Sequence, residues 1–463
     1  MKNRLALTCF AALGAQWFAP PAHAFDCASA RGYVGLEGDG ALSRDSLWGS
    51  DSSPSNFTVN GYASGTISCQ LSGQFSVKAS GVAEYAMDTE DPGTLDGKKD
   101  SGLAILNEGY VTWKPSEQIF LDVGKIERSN GNLFSQNPLD VVRNTSGNLR
   151  STLVSNGDTN RYGFYREGSV GLGVTAYNDH GTIDLAYLPK LATNNDQAQS
   201  AERWSALERT NSNNRFYAAF TSSALSNFNP TVAAVVGDYN VLGVGTSGYL
   251  MDNLMLGVQA SVSKGQRWRH LNMAKAAAIR SYQNVGDPFS IDRDGALTDI
   301  AVGLRYTDSD RREYGIEYYG QSQGYSRSEW KGYFDTVTFV NGGYAKGLPP
   351  SVAANLASGY DQYSSLFASE TDNANRAGNL LGKHYLTVFV SSKKQALRKL
   401  DWTASVTTNL VDGSAYANAR LSTFASNHVE LYTGASMSFG SSRSEFGQFG
   451  RRGYVYAGTR IIV

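Results

Sequence analysis

The sequence predicts an all-β protein, a transmembrane antiparallel β-barrel of about 18 strands. Three observations carry this prediction. Apolar and polar residues alternate with a period of two over segments of about ten residues, longer than the strands usual in soluble sheets. Short polar turns alternate with longer Gly/Asn/Ser/Asp-rich connections, the asymmetry of an outer-membrane barrel. No stretch beyond the first 24 residues approaches the roughly 18 apolar residues that a membrane helix requires.

The chain has 463 residues, a net charge of -1 and a charged fraction of 18%. That balance lacks the basic excess a nucleic-acid partner demands. Gly 49 against Pro 11, with Tyr 26 and Phe 20, suits strands and tight turns better than helices.

Lys2 and Arg4, an apolar run from Leu5 to about Phe18, and Ala22-His23-Ala24 read as a signal peptide over 1–24. Residues 25–463 then form one domain in an exported protein. Cys9 leaves with the leader, and Cys27 and Cys69 become candidates for a disulfide, since that compartment preserves one.

Strands follow from the turns. Short turns fall at Leu71-Ser72-Gly73, Lys114 to Glu117, Asp179-His180-Gly181, Ser226 to Asn229, Met251-Asp252-Asn253, Asp308 to Arg312, Lys393 to Lys399 and Ser426-Asn427-His428. The long connections are 41–56, 88–101, 129–160, 191–213, 265–294, 327–380 and 440–452. A strand on each flank of every short turn, plus Arg31–Ala41 and Gly453–Val463, gives about 18, an even number that leaves both termini in the periplasm. No second domain or periodic helix is expected, apart from short helices at Met273–Ala278 and Ser351–Ser358 within loops.

Alternation assigns the faces. In Leu254–Ser263, Leu254, Leu256, Val258, Ala260 and Val262 oppose Met255, Gly257, Gln259, Ser261 and Ser263. In Arg312–Gln323, Tyr314, Ile316 and Tyr318 oppose Glu313, Glu317, Tyr319, Gln321 and Gln323. A charge facing lipid costs up to about 2–4 kcal/mol, so the polar faces point to water inside the barrel. By the same parity the inward face receives Lys78, Glu84, Glu108, Tyr110, Asp122, Asp299, Arg305, Asp401, Tyr416, Arg420, Glu430, Tyr456 and Arg460. These residues either line a solute path or form ion-pair ladders that stiffen a wet interior. A barrel of 16 to 18 strands leaves an aqueous channel unless loops fill it, and 129–160 and 327–380 are long enough to fold inward.

Gly109-Tyr110-Val111-Thr112-Trp113, Leu121-Asp122-Val123-Gly124-Lys125 and Asn137-Pro138-Leu139-Asp140 resemble a hairpin-and-loop signature of outer-membrane channels of the alginate-export type and their specific-porin relatives. The resemblance implies an 18-stranded barrel passing a polar, often saccharide, ligand, with Asp122 and Lys125 near the channel and the Asn-Pro loop at its wall. The final residues Tyr454–Val463 are similar to the terminal strand that barrel-assembly machinery recognises, with Val463 where an aromatic is usual.

Other chemistry finds little footing. Gly243–Gly248 fits a dinucleotide fingerprint by letters but is followed by strand, not helix. His180, His270, His384 and His428 are scattered, and no Gly-x-Ser-x-Gly elbow occurs, so neither a metal, a cofactor nor catalysis is expected. The expected partners are outer-membrane lipid, the assembly machinery, and a polar small molecule or glycan. A plugged barrel acting as a surface scaffold or adhesin is the alternative, and a barrel-borne enzyme a more distant one.

Overall fold

The computed structural model describes residues 26–44, 47–48, 57–88, 100–142, 145–148, 164–193, 205–225, 227–376, 379–392 and 400–462. The leader at 1–24, the turn at 393–399 and Val463 lie outside these. Eighteen strands form one closed antiparallel sheet, each bonded to its neighbours in sequence and the last to the first. They are β1 (Asp26–Ser43), β2 (Phe57–Gln70), β3 (Phe75–Asp88), β4 (Asp100–Ser116), β5 (Ile119–Ile126), β6 (Ser169–Asn178), β7 (Gly181–Leu188), β8 (Arg215–Ser222) and β9 (Thr231–Gly237). The circuit continues through β10 (Asn240–Met251), β11 (Leu254–Lys264), β12 (Ala296–Thr307), β13 (Arg312–Gln321), β14 (His384–Ser392), β15 (Leu400–Asn409), β16 (Ala415–Phe424), β17 (Val429–Phe439) and β18 (Arg451–Ile462). Closure pairs Tyr33 with Ile462 and Ala41 with Tyr454, which leaves no free edge to be desolvated in lipid.

The alternation sets the two faces. Ile300, Leu304, Tyr314, Ile316, Val406 and Leu431 stand exposed on the outside, whereas their neighbours Ala301, Glu317, Thr407 and Glu430 are buried. At the rim carrying the short turns, exposed Phe75 and Trp113 stack at 6.3 Å and Tyr306 lies 6.3 Å from Tyr314. Tyr177, which packs edge-on against Phe120 at 5.7 Å, and Tyr249 continue an aromatic girdle of the kind that marks a membrane interface. Cys27 and Cys69 join in a disulfide that staples β1 to β2 at this rim.

On the opposite side, nine connections are numbered here L1 to L9 in chain order. L5, at Asp238-Tyr239, and L8, at 410–414, are short, so the turn asymmetry is less regular than the sequence suggests. The helical content is larger than expected. α1 (Ala206–Thr210) lies in L4, α2 (Met273–Arg280) in L6, and α3 (Arg327–Val340) and α4 (Pro350–Arg376) in L7. The expected helix at 351–358 is part of a 27-residue helix, and α3 was not foreseen. Its start is nevertheless written in the sequence as Ser326-x-x-Glu329, a capping box in which each side chain accepts from the other's backbone N–H. Trp330, Phe334 and Val337 of α3 pack with Trp268, Leu271 and Phe289 from L6 and Phe367 from α4, forming an apolar core outside the barrel wall. Loops need such a core to stay ordered, because burial must offset the conformational entropy they lose.

Candidate functional site: the lumen and its inward loop

The first part of L3, residues 127–142, runs along the inner wall from β5 to β14. Arg128 begins the path, pairing with Asp122 at 2.9 Å and Asp184 at 3.0 Å. Asn130 donates to the Tyr217 hydroxyl. Further along, Leu133 N–H donates to Asn137 Oδ1 at 2.8 Å, closing a tight turn, and Gln259 accepts from Leu139 N–H at 3.2 Å while donating to Asn137 Oδ1 at 3.2 Å. The Asn-Pro segment therefore rests on the wall. Leu139, Val141 and Val142 pack with Ile126, Leu188, Tyr217 and Val235.

Glu317 secures the far end of this path. Its two carboxylate oxygens accept the backbone N–H groups of Phe134 and Ser135 at 2.6 and 2.7 Å. Phe134 stacks on Phe389 at 4.0 Å, Arg305 sits 5.6 Å over the same ring, and Arg305 donates to Asn132 O at 3.1 Å. Inward glycines make the close approach possible. A Cβ on Gly257 or Gly303 would stand 2.8 Å from Leu133 Cδ2, and one on Gly243 or Gly245 would come within 3.3 Å of Leu139. These last two belong to the stretch that mimics a dinucleotide fingerprint. L9 meets L3 here, since Phe446 packs against the cluster of Leu133, Tyr319, Leu380 and Tyr385.

The facing wall, β1 to β4 and β16 to β18, carries cations over aromatic rings. Arg460 pairs with Glu430 at 2.6 Å and lies 4.8 Å over Tyr33; Arg420 pairs with Glu430 at 3.3 Å and lies 5.8 Å over Tyr432. Lys78 pairs with Glu108 at 2.7 Å and lies 5.8 Å over Tyr110. Tyr62 and Tyr432 share a hydroxyl hydrogen bond of 2.9 Å. The side chains of Lys78, Arg420 and Arg460 keep 38%, 30% and 20% exposure.

The remaining candidates fall into distinct roles. Glu84 and Tyr319 are buried on the inward face, and Asp401 is half-buried. Thr112 donates to Asp122 at 2.6 Å. Asp299 is buried and pairs with Arg267 of L6. Glu313 accepts from Ser391 at 3.3 Å and lies 3.8 Å from Arg305. Lys125 is buried against Glu167, at 2.6 Å, which also pairs with Arg209 of α1 at 2.9 Å; this charge stitches L3 to L4. Sequence reading missed Arg128 and Asn130 and gave Gln259 a face but no role, because Asp184, Tyr217 and the backbone of Leu139, which they meet, are distant in sequence and leave no local signal.

Two buried acids outside the wall tie the loops together. Glu445 of L9 accepts from Leu381 N–H at 2.8 Å, Tyr385 at 2.5 Å and Asn409 at 2.7 Å, and burial raises its carboxyl to about 7. Glu370 of α4 pairs with Arg269 of L6, and burial likewise raises it to about 7 against the opposing pull of that arginine.

A closed 18-stranded barrel with an oily exterior and an inward loop is the architecture of a Gram-negative outer-membrane porin, and the outer membrane is its location. Among solved structures, the chain is similar to Pseudomonas aeruginosa OccK8 (OprE), with TM-score 0.51, 9% identity, and coverage of 94% of this chain and 98% of that one. Acinetobacter baumannii OccAB1 matches with TM-score 0.50 and 11% identity over 94% of this chain and 96% of that one. At such identities the likeness is one of fold. No protein-family model matches the sequence, and no curated protein matches it.

Proposed function

We propose that the chain is a passive channel that carries a small polar solute, such as a saccharide, across the outer membrane between L3 and the facing cation-tyrosine wall. The observation that carries the reading is the division of labour among inward groups. Glu317, Gln259, Asp122 and Arg128 are engaged in holding L3, whereas Lys78, Arg420 and Arg460 remain partly open to water beside tyrosine hydroxyls. Such a wall offers a polar solute replacement hydrogen bonds along the path. Nothing in this reading requires a bond to be made or broken, which is why a channel is favoured over an enzyme.

Steady single-channel current in planar bilayers, with swelling of proteoliposomes in neutral sugars, is the expected result. A non-conducting barrel would favour the scaffold reading, which the apolar core of α2, α3 and α4 supports, because a packed loop domain offers partners a fixed surface. Assembly through β18 belongs to the same proposal: its inward Tyr454 and Tyr456 alternate with exposed Val455 and Ile461 as a membrane strand requires.

A further inference from the structure

The L7 helices hold a second feature, separate from the lumen. A cleft of about 330 Å³ opens between α3, L8 and L9, lined by Arg327, Trp330, Lys331, Phe334, Val411, Asp412 and Arg443. Charge in it is unbalanced. Lys331, at 2.8 Å, Arg443, and the neighbouring Arg280, at 3.6 Å, all share the single carboxylate of Asp335. Among the described residues, Arg327 meets one acceptor, the Val411 carbonyl, through its Nε at 3.3 Å. The acid in the cleft faces its own backbone: Asp412 accepts from Ser414 N–H at 2.8 Å, the Ser414 hydroxyl at 2.6 Å and Glu445 N–H at 2.7 Å. Two guanidinium groups and an ammonium therefore converge where the protein supplies too few anions, in a chain whose net charge is -1. Trp330 and Phe334, stacked at 5.0 Å, back the cleft from within the loop core, so what it presents to solvent is its cations.

Forked guanidinium donors match the oxygens of a phosphate. We propose that this cleft binds the phosphate group of a phosphomonoester. The ligand could be a free solute or the phosphorylated sugar headgroup of an outer-leaflet lipid. The site stands whether or not the barrel conducts.

Isothermal titration of the mature chain in detergent with glucose 6-phosphate is the test. Saturable binding is expected, at least tenfold tighter than for glucose. R327Q/R443Q, two exposed positions, should weaken it at least tenfold with heat-modifiable gel mobility unchanged, whereas K264Q, the same loss of charge at an exposed pair elsewhere, should not. Repeating the titration in phosphatidylcholine vesicles with and without lipid A separates the sources. Loss of glucose 6-phosphate binding in lipid A assigns the cleft to the headgroup, and retention assigns it to the solute. Equal affinity of the double variant, equal affinity for glucose, or no saturation by about 10 mM would overturn the proposal.

Discussion

Replacing Glu317 with Ala should release the far end of L3. The carboxylate receives two backbone N–H groups at 2.6 and 2.7 Å in a buried setting, and among the described residues no other side chain meets those donors. A hydrogen bond to a charged group contributes about 1.5–3 kcal/mol, so the pair contributes about 3 kcal/mol at the lower bound. At about 1.4 kcal/mol per factor of ten, the docked fraction of the loop falls by roughly 100-fold relative to the undocked. Release also frees Phe134 from Phe389 and Arg305 from Asn132 O, which exposes Arg305 to the lumen. Single-channel recording should therefore show E317A with larger or flickering conductance and a shift toward anions. E317Q, which keeps the shape and one acceptor, should fall between E317A and the parent. Unchanged conductance, noise and selectivity in E317A, in a barrel that folds normally, would refute the assignment of Glu317 as the anchor of L3.

Gly257→Val should push Leu133 off the wall and reproduce part of the E317A phenotype, since a Cβ there already meets Leu133 Cδ2 at 2.8 Å; the same recordings check it. Ile316→Lys places a cation on the exposed outer face and should cost about 2–4 kcal/mol of folding in lipid, read as a lower folded fraction by heat-modifiable mobility. Cys27→Ser removes a link across 42 residues, about 4 kcal/mol on the chain-entropy model, and should lower the melting temperature under oxidising conditions only. The last prediction concerns pH. Glu445 is raised to about 7 in the docked loops, so the docked state holds its proton where a released loop has lost it. Docking is then strongest below the ordinary carboxylate range and weakens as pH rises toward 7, with no further change above. Hydrogen exchange in L9 should accelerate between pH 5 and 7 in the parent and lose that component in E445Q, while His270, lowered by burial, contributes in the opposite sense to both proteins.

Much of this architecture was legible along the chain. A period of two cannot place Glu317 and Ile316 on one face, and lipid admits only the apolar set, so alternation with turn spacing determines the strands, their parity and the closed barrel. The loop helices were less visible because their pattern lies among loop residues, although the Ser326/Glu329 and Ser205/Glu208 capping boxes announce α3 in L7 and α1 in L4.

What sequence could not decide is how each inward charge is employed. Glu313 and Glu317 share a strand, a face and a chemistry, yet one meets Arg305 and Ser391 while the other holds a loop nearly two hundred positions away. Local pattern fixes which side of the sheet a residue occupies, because that depends on the residue's own backbone. Which partner meets it there depends on where a distant segment comes to rest, and only the closed tertiary structure brings the two together.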